Sequence, residues 1–240
     1  MKTAFKTIAA TTDVPLFIFG DHASRHIPDI YDDLGLQGDD LTRHIAWDIG
    51  TETIIRQMAA HYGCAAHMAV VSRLVIDLHR EPNSAGLIPI VSDGTVIPGN
   101  EGLTDIQKKQ RVEDYFAPYH KRLADIMGAL AGNPLVITLH SFTPKPLTGE
   151  TRNTDIGLLV KHDPATAAAF TQSLAVEAPD LQVDINLPYS AYDLNYSVDC
   201  HVAPNGHRHL AIELRQDHVD TPLKQRSMGD MLIRAIQPLL

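Results

Sequence analysis

An apolar run that ends in a histidine and a serine constrains the fold more than any other segment of the sequence. Residues 135–142 have the sequence LVITLHSF, which predicts a buried strand because apolar and β-branched side chains follow one another without polar alternation. Such strands are typical of α/β sheets covered on both faces, where ligands bind beyond the carboxyl ends of the strands. We therefore expect His140 to lie at a functional site.

Two further apolar runs lead to residues that can bind a metal or move a proton. Residues 14–20 lead to His22, and residues 209–212 lead to Glu213. Neutral imidazoles are common zinc ligands, and a carboxylate among apolar residues is costly to bury unless it is paired or used. Two histidines and a glutamate at three strand ends predict a metal site with a general base. The alternatives are histidines that cap turns and a salt bridge from Glu213 to Arg215 or another arginine.

A catalytic zinc ion normally has three protein ligands and keeps one position for water, so this hypothesis needs a third ligand. The residues that remain open for this role are His26, His44, Asp48, Asp77 and His201. Asp48 follows Trp47 in a segment predicted to be helical, where a carboxylate on an apolar face favours a functional role. An aspartate on the helix surface or in its first turn is the alternative.

Arginines in and just after the predicted strand at residues 66–78 are candidates to hold the carboxylate of an acidic substrate. Arg73 and Arg80 flank a short apolar run, and a guanidinium group binds a carboxylate through two parallel hydrogen bonds. A structural pairing with Asp77 is the alternative for either arginine. Arg152, in a later loop, is a less favoured candidate.

Two serines offer a nucleophile for a different hydrolase chemistry. Ser24 and Ser141 both follow predicted strands. Neither lies in the Gly-x-Ser-x-Gly turn that exposes the nucleophile of α/β hydrolases. The sequence therefore disfavours a serine hydrolase.

The order of predicted elements indicates one domain over residues 1–240, with an α/β fold of three layers. Strands are expected at residues 14–20, 66–78, 135–140, 156–160, 181–185 and 210–214. Helices are expected at residues 41–62, 104–130 with a kink or break at Pro118, 164–175 and 222–239. Long loops are expected at residues 81–102 and 186–207. This alternation predicts a central mixed, mostly parallel sheet with helices on both faces.

Composition excludes several classes of function. The formal net charge of −9 disfavours binding to nucleic acid, which requires a basic surface. Cys64 and Cys200 are too few for a disulfide framework or a cysteine-rich zinc site, which favours a reducing compartment. Residues 1–6 lack the apolar core of a signal peptide, and no apolar run approaches the roughly 20 residues of a spanning helix. We expect a soluble cytoplasmic protein, a monomer or small homo-oligomer, without membrane or nucleic-acid partners.

Seven short segments together resemble the N-formylglutamate amidohydrolase family. In family order they are DHAS at 21–24, HIAWDIG at 44–50, SRLVID at 72–77, IPGN at 97–100, PYH at 118–120, LHSFTP at 139–144 and IELRQD at 212–217. They cover most of the chain, and their combination is specific although each segment is short. That family is similar in fold to zinc carboxypeptidases, which implies a central mixed sheet flanked by helices.

The resemblance implies roles for individual residues. His22 and His140 look like the zinc-binding histidines of carboxypeptidases, and Glu213 resembles their general base on a late strand. Residues 77–80 resemble an Asp-Leu-Asn-Arg segment whose arginine, here Arg80, holds the free carboxylate of the substrate.

Two departures from the carboxypeptidase pattern affect the expected site. Arg25 stands where carboxypeptidases carry a glutamate ligand, so the middle ligand must come from elsewhere, and we expect Asp48. His79 replaces the asparagine that precedes the carboxylate-binding arginine, which implies a carboxylate pocket of different shape.

The combined expectation is a zinc-dependent amidohydrolase for which N-formyl-L-glutamate is the favoured substrate, giving formate and L-glutamate in a late step of histidine breakdown. The expected site has metal ligands His22, Asp48 and His140, catalytic Glu213, and substrate-binding residues Arg73, Arg80, Ser141 and His201. Manganese, cobalt or nickel also suit such ligands. The alternatives are a hydrolase of another N-acyl amino acid or short peptide, and a non-catalytic protein that binds an acidic ligand.

Overall fold

Nine strands and five α-helices form the part of the chain that the computed structural model describes, residues 3–240. The strands are β1 (Phe5–Ile8), β2 (Leu16–Gly20), β3 (Ala65–Ala69), β4 (Val91–Ser92), β5 (Thr95–Val96), β6 (Leu135–Phe142), β7 (Ile156–Leu159), β8 (Val183–Ile185) and β9 (Arg208–Arg215). The helices are α1 (Thr51–Tyr62), α2 (Asp105–Arg111), α3 (Ala117–Ala129), α4 (Pro164–Glu177) and α5 (Pro222–Ile236). Strands β4 and β5 form a separate hairpin, and the other strands form one sheet.

The large sheet is mixed and mostly parallel, as predicted. Its strand order is β1-β3-β2-β6-β9-β7-β8. Strands β3, β2, β6 and β9 run parallel to one another, and β8 is parallel to β7. The antiparallel pairs are β1 with β3 and β7 with β9. The carboxyl ends of four adjacent strands therefore lie at the same end of the sheet, where α/β proteins bind their ligands.

Helices cover both faces of the sheet, which confirms the predicted three layers. Ile55 of α1, Phe170 of α4 and Leu232 of α5 belong to the core on one face. Tyr119 and Leu123 of α3 belong to the core on the other face. Every residue of β2 and of β6 is buried, because both sides of these central strands contact a helical layer.

Helix α1 begins about ten residues later than predicted, and this changes the setting of Asp48. Gly50 has φ of 85°, a left-handed conformation that favours glycine, and α1 starts at the next residue. A side chain at Gly50 would also approach the carbonyl oxygen of Val219 to 2.9 Å. Asp48 therefore lies in a buried turn before the helix and not on a helical face.

The predicted break at Pro118 is replaced by a π-helical turn. Residues Val112–Phe116 form this turn between α2 and α3, and Pro118 lies in the first turn of α3. A proline there has no backbone N–H to donate to the preceding turn, and a π-turn is one way to accommodate a change in helical hydrogen bonding. The rearranged turn buries Tyr115 and Phe116.

The chain leaves the sheet after β3 sooner than predicted, and residues 70–80 form a buried irregular segment. Side chains from later in the chain satisfy its backbone. Asn100 donates to the carbonyl of Leu74 at 2.8 Å, and Arg111 donates to the carbonyl of Val75 at 2.9 Å. Buried carbonyls need such partners, so these side chains stabilise the segment that carries the candidate arginines.

The structure bears on three further expectations, which concern membrane spans, residues 1–6 and the two cysteines. Within residues 3–240, no helix combines the length and hydropathy needed to cross a membrane. The expectation about residues 1–6 concerns in part Met1 and Lys2, which lie outside the described residues. Both cysteines are free, as expected for a chain without a disulfide framework.

A buried histidine on β3 makes the stability of the fold depend on pH. His67 Nδ1 lies 3.2 Å from the Thr7 hydroxyl, its ring packs against Tyr119, and its Nε2 has no hydrogen-bond partner among the described residues. Burial lowers the pKa of His67 to about 4. Between its unfolded pKa of about 6.5 and this value, the unfolded chain binds more protons at this residue, so the free energy of unfolding falls as pH falls.

We predict that His67→Phe reduces the acid sensitivity of the fold. The free energy of unfolding is measured by urea denaturation between pH 7 and pH 4. It should fall less steeply with falling pH in the variant, and the two slopes should differ by up to about 1.4 kcal/mol per pH unit. The comparison uses the slopes, because the substitution also changes packing. Identical pH slopes in the two proteins would contradict the assignment of this proton uptake to His67.

Candidate active site

Parallel strands bring the predicted catalytic residues together. His140 of β6 and Glu213 of β9 are paired in register, and His22 follows the end of the neighbouring strand β2 by two residues. These residues and Asp48 line one cavity of about 90 Å³ at the carboxyl end of the sheet. The predicted meeting of three strand ends therefore occurs in the structure.

Two imidazole nitrogens and one carboxylate oxygen form a compact donor set. Asp48 Oδ2 lies 2.8 Å from His140 Nδ1 and 3.4 Å from His22 Nδ1, and the three ligand atoms all lie within 4.8 Å of one another. His22 Nδ1 is buried and has no hydrogen-bond partner among the described residues. An unpartnered nitrogen beside a carboxylate and a second imidazole fits a divalent ion such as zinc.

The other nitrogen of each imidazole has its own partner. His22 Nε2 donates to Asp77 Oδ1 at 2.7 Å, and His140 Nε2 lies 3.2 Å from the Thr138 hydroxyl, which can accept its proton. The two Nδ1 atoms are the ones that face Asp48, where His140 Nδ1 donates to Asp48 Oδ2 at 2.8 Å and would give up that proton to bind an ion. Partners of this kind fix the tautomer and orientation of metal-binding histidines.

The electrostatics of the donor set favour positive charge between two carboxylates. Burial and Arg73 oppose the protonation of His22, but Asp77 and Asp48 outweigh them and raise its pKa to about 9. Burial opposes the charge of Asp48, yet contacts with His22, His140 and Arg73 hold its pKa well below the ordinary range. A divalent ion would place its charge where these carboxylates already favour a cation.

Glu213 differs from the other carboxylates of the site. It is buried, and its Oε2 has no hydrogen-bond partner among the described residues. Burial and the charge of Asp48 raise the pKa of Glu213 to about 8, against the opposing charges of Arg73 and other cations. A carboxyl group with a pKa near neutrality can accept a proton and return it.

The alternative of a salt bridge between Glu213 and Arg215 is wrong. Arg215 binds Asp155 at 2.7 Å and Asp217 at 2.8 Å. Successive residues of a strand point to opposite faces, but these two are separated by one residue, so strand direction alone could not exclude the pair. The carboxylates that flank Arg215 exclude it.

Arg73 and Arg80 both line the cavity, but they differ in how many carboxylates they contact. Arg73 donates to Asp48 Oδ1 at 3.1 Å and to Asp77 Oδ2 at 3.3 Å, so it joins the carboxylate of the donor set to the carboxylate that binds the other nitrogen of His22. Arg80 places Nε 3.7 Å from Asp77 Oδ2, and its terminal nitrogens have no hydrogen-bonding partner within residues 3–240. Arg80 therefore retains a free guanidinium edge, and Arg73 does not.

The remaining candidates from the sequence fall into two groups. Ser141 lines the cavity, and its backbone N–H donates to Asp48 Oδ2 at 3.3 Å. His201 lies outside the residues that line this cavity, with Nε2 2.9 Å from His120 Nδ1. His44 pairs with Asp93, and His26 is exposed, so neither belongs to the donor set.

A second buried cluster went unrecognised in the sequence. Asp21 Oδ2 accepts from His79 Nδ1 at 2.7 Å, and Asp21 Oδ1 accepts from the Tyr119 hydroxyl at 2.6 Å. Asp21, His79 and His140 also place one ligand atom each within 4.8 Å. The set around Asp48 contains the unpartnered Nδ1 of His22, which favours that set as the metal site. The signals available were the position of Asp21 at a strand end and the PYH segment that contains Tyr119.

A buried donor set beside an unpaired carboxyl group, at the carboxyl end of an α/β sheet, is the arrangement of a hydrolase. The sequence model of the N-formylglutamate amidohydrolase family matches residues 14–219. The chain therefore belongs to the N-formylglutamate amidohydrolase family, and the predicted resemblance is confirmed. Membership supports an amide hydrolase that acts on N-acyl amino acids.

Solved structures share this fold. The Atu2144 gene product of Agrobacterium tumefaciens has a TM-score of 0.90 and 29% identity, covering 98% of this chain and 96% of that one. The N-formylglutamate amidohydrolase of Ralstonia eutropha JMP134 has a TM-score of 0.67 and 17% identity, covering 98% and 96%. A zinc-free apo form of YndL has a TM-score of 0.50 and 10% identity, covering 99% and 91%. Among curated proteins, no significant match was found.

We predict that Asp77→Asn weakens zinc binding by about 10- to 100-fold, because the substitution removes the anion that orients His22. A competition titration against a chromophoric chelator measures this affinity. Asp199→Asn is the matched control, since Asp199 pairs with His162 at 2.7 Å outside the donor set. Equal zinc affinities in the wild type and Asp77→Asn would contradict the orienting role, and a wild type that binds no zinc would contradict the donor set itself.

Proposed function

We propose that the protein is a metal-dependent amidohydrolase, with zinc as the favoured ion, that converts N-formyl-L-glutamate and water to formate and L-glutamate. The observation that carries this proposal is the buried, unpaired carboxyl group of Glu213 beside the donor set of His22, Asp48 and His140. Membership of the N-formylglutamate amidohydrolase family supports the substrate class. The same reaction would place the protein in histidine breakdown in the cytoplasm.

The donor set would hold the ion through His22 Nδ1, an oxygen of Asp48 and His140 Nδ1. When bound, such an ion supplies a Lewis acid that polarises a carbonyl oxygen and makes water more acidic. The chain contributes the orientation of these ligands. Asp77 holds the His22 ring, and Arg73 holds the carboxylates of Asp48 and Asp77 in place.

Glu213 would move the proton of the reaction. Its free Oε2 accepts a proton from the water whose oxygen bonds to the acyl carbon. The bond between that carbon and the amide nitrogen then breaks, and Glu213 passes the proton to the departing amino group. The raised pKa of Glu213, about 8, suits both halves of this transfer because the proton is neither held too tightly nor lost too readily.

Arginine side chains would orient the substrate. Arg80 has a free guanidinium edge on the cavity and is our candidate to bind the α-carboxylate. Arg73 lies on the same wall but uses its terminal nitrogens on Asp48 and Asp77, so any contact with substrate comes in addition to these pairs. Ser141 lines the cavity wall and stays a candidate for substrate contact, whereas His201 does not line this cavity and stays a candidate from the sequence alone.

We predict that the purified protein releases formate from N-formyl-L-glutamate, that a chelator abolishes this activity, and that added zinc restores it. Formate is measured with a coupled dehydrogenase assay. Glu213→Gln should lower kcat by at least about 100-fold and leave zinc affinity unchanged, because the amide cannot accept the proton. Glu177→Gln is the control, since Glu177 pairs with Arg234 on the outer helices.

Two results would contradict this proposal in different ways. Substantial turnover by Glu213→Gln would remove the assigned role of the carboxyl group. Folded, zinc-loaded enzyme that releases no formate would remove the substrate, and activity on other N-acyl amino acids or short peptides would identify the alternative. Ligand binding without turnover or metal would indicate a non-catalytic binding protein.

A further inference from the structure

A guanidinium group beside the active-site cavity has no carboxylate partner. Arg152 lies in the loop between β6 and β7, and its Nη1 donates to the Tyr189 hydroxyl at 3.0 Å and to the Thr143 carbonyl at 3.3 Å. Within residues 3–240, no Asp or Glu forms an ion pair with it. A partly buried cation without a counter-ion is unusual, because the other arginines of this region, Arg73 and Arg215, each contact two carboxylates.

Aromatic rings hold this guanidinium in a fixed position. The Arg152 guanidinium carbon lies 4.8 Å from the ring centroid of Tyr189 and 5.7 Å from that of Phe142. Both rings line the cavity that contains Glu213. Stacking on aromatic faces and the hydrogen bonds that Nη1 donates restrict the planar group and leave its other donors free.

The backbone around Arg152 is also fixed at this end of the sheet. Strand β7 runs antiparallel to β9, so the loop before β7 ends beside the carboxyl end of β9. Arg152 N donates to the Pro144 carbonyl at 2.8 Å, which closes the loop on itself. Arg215 donates to the Asn153 carbonyl at 2.8 Å and ties the loop to the end of β9. The position of Arg152 therefore follows from the fold and not from a free surface side chain.

Arg152 and Arg80 face one continuous space. A second cavity of about 430 Å³ adjoins the first, and the two share lining residues that include Arg73, Arg80 and Tyr189. Arg152 lines this second cavity. A substrate whose amide lies at Glu213 therefore has two guanidinium groups with free donors within the same space, Arg80 and Arg152.

We propose that Arg152, positioned by Tyr189, binds the side-chain carboxylate of the substrate while Arg80 binds its α-carboxylate. Arg152 is then the residue that makes the enzyme selective for N-acyl derivatives of dicarboxylic amino acids. This inference rests on the proposed function and extends it to the second carboxylate. Its physical basis is that a substrate with one carboxylate leaves a restrained cation unneutralised, whereas a dicarboxylic substrate pairs both cations.

The test compares two substrates of nearly equal shape, N-formyl-L-glutamate and N-formyl-L-glutamine, which differ in the charge of the side chain. The zinc-loaded wild type should have a kcat/KM for the glutamate derivative on the order of 100-fold higher. Arg152→Met should reduce this ratio at least about tenfold, through loss on the glutamate derivative with little change on the glutamine derivative. Arg152→Lys, which keeps the charge, should recover part of the ratio.

The ratio of two substrates in one sample does not depend on how much of the variant is folded. Lys145→Met is the matched control, because Lys145 is a cation of the same loop that lines neither cavity, and it should leave the ratio unchanged. Tyr189→Phe keeps the ring and removes the hydroxyl that accepts from Arg152. This variant should raise KM for the glutamate derivative more than it lowers kcat, as expected for a positioning residue.

Failure of this inference is distinguishable from failure of the proposed function. A wild type that hydrolyses both derivatives equally would overturn the inference and leave amide hydrolysis intact. The same holds for a selective wild type whose ratio survives in Arg152→Met. Absence of formate release from every N-formyl amino acid would overturn the proposed function and this inference with it.

Discussion

The buried carboxylate of Asp48 is the contact on which the rest of the site depends. Its Oδ2 lies against His140 Nδ1 at 2.8 Å and His22 Nδ1 at 3.4 Å, and its Oδ1 accepts from Arg73 at 3.1 Å. The backbone N–H of Asp48 donates to the carbonyl of His22 at 2.9 Å, so the turn before α1 is fixed to the end of β2. A buried charge of this kind is tolerated only when its partners are complete, and here the partners come from three separate segments.

The carboxyl groups near Asp48 fall into two classes, and the difference between them is what makes proton transfer feasible. Asp21, Asp48 and Asp77 each contact a histidine, and these contacts hold their pKa values well below the ordinary range. Glu213 has no such contact, and burial beside the charge of Asp48 raises its pKa. Groups whose environments push their pKa values apart suit different roles, and this difference supports the proposal that the aspartates hold cations while Glu213 moves the proton.

Much of the fold and part of the site could be predicted because they depend on local pattern and strand direction. The apolar runs of β6 and β9 identify buried strands, and parallel pairing then brings His140 and Glu213 to the same position. The predicted start of α1 was wrong because the periodic apolar residues also occur in the turn before Gly50, where the chain is not helical. The Asp21–His79 pair joins residues far apart in the sequence, and no pattern within either segment indicates the other.

The position of Arg152 could not be predicted from sequence either, and the structure gives the physical reason. The loop that contains Tyr189 packs against β7 at Gly157, where a side chain would collide with the carbonyl oxygen of Leu187 and approach Glu213 Cβ to 3.3 Å. A residue with a side chain at this position would displace either the loop that supports Tyr189 or the strand that carries Glu213. The glycine therefore lets Glu213 and the Tyr189–Arg152 pair lie next to each other at this end of the sheet. The sequence alone does not predict the roles of Gly157 and Arg152, because both roles depend on the antiparallel pairing of β7 with β9.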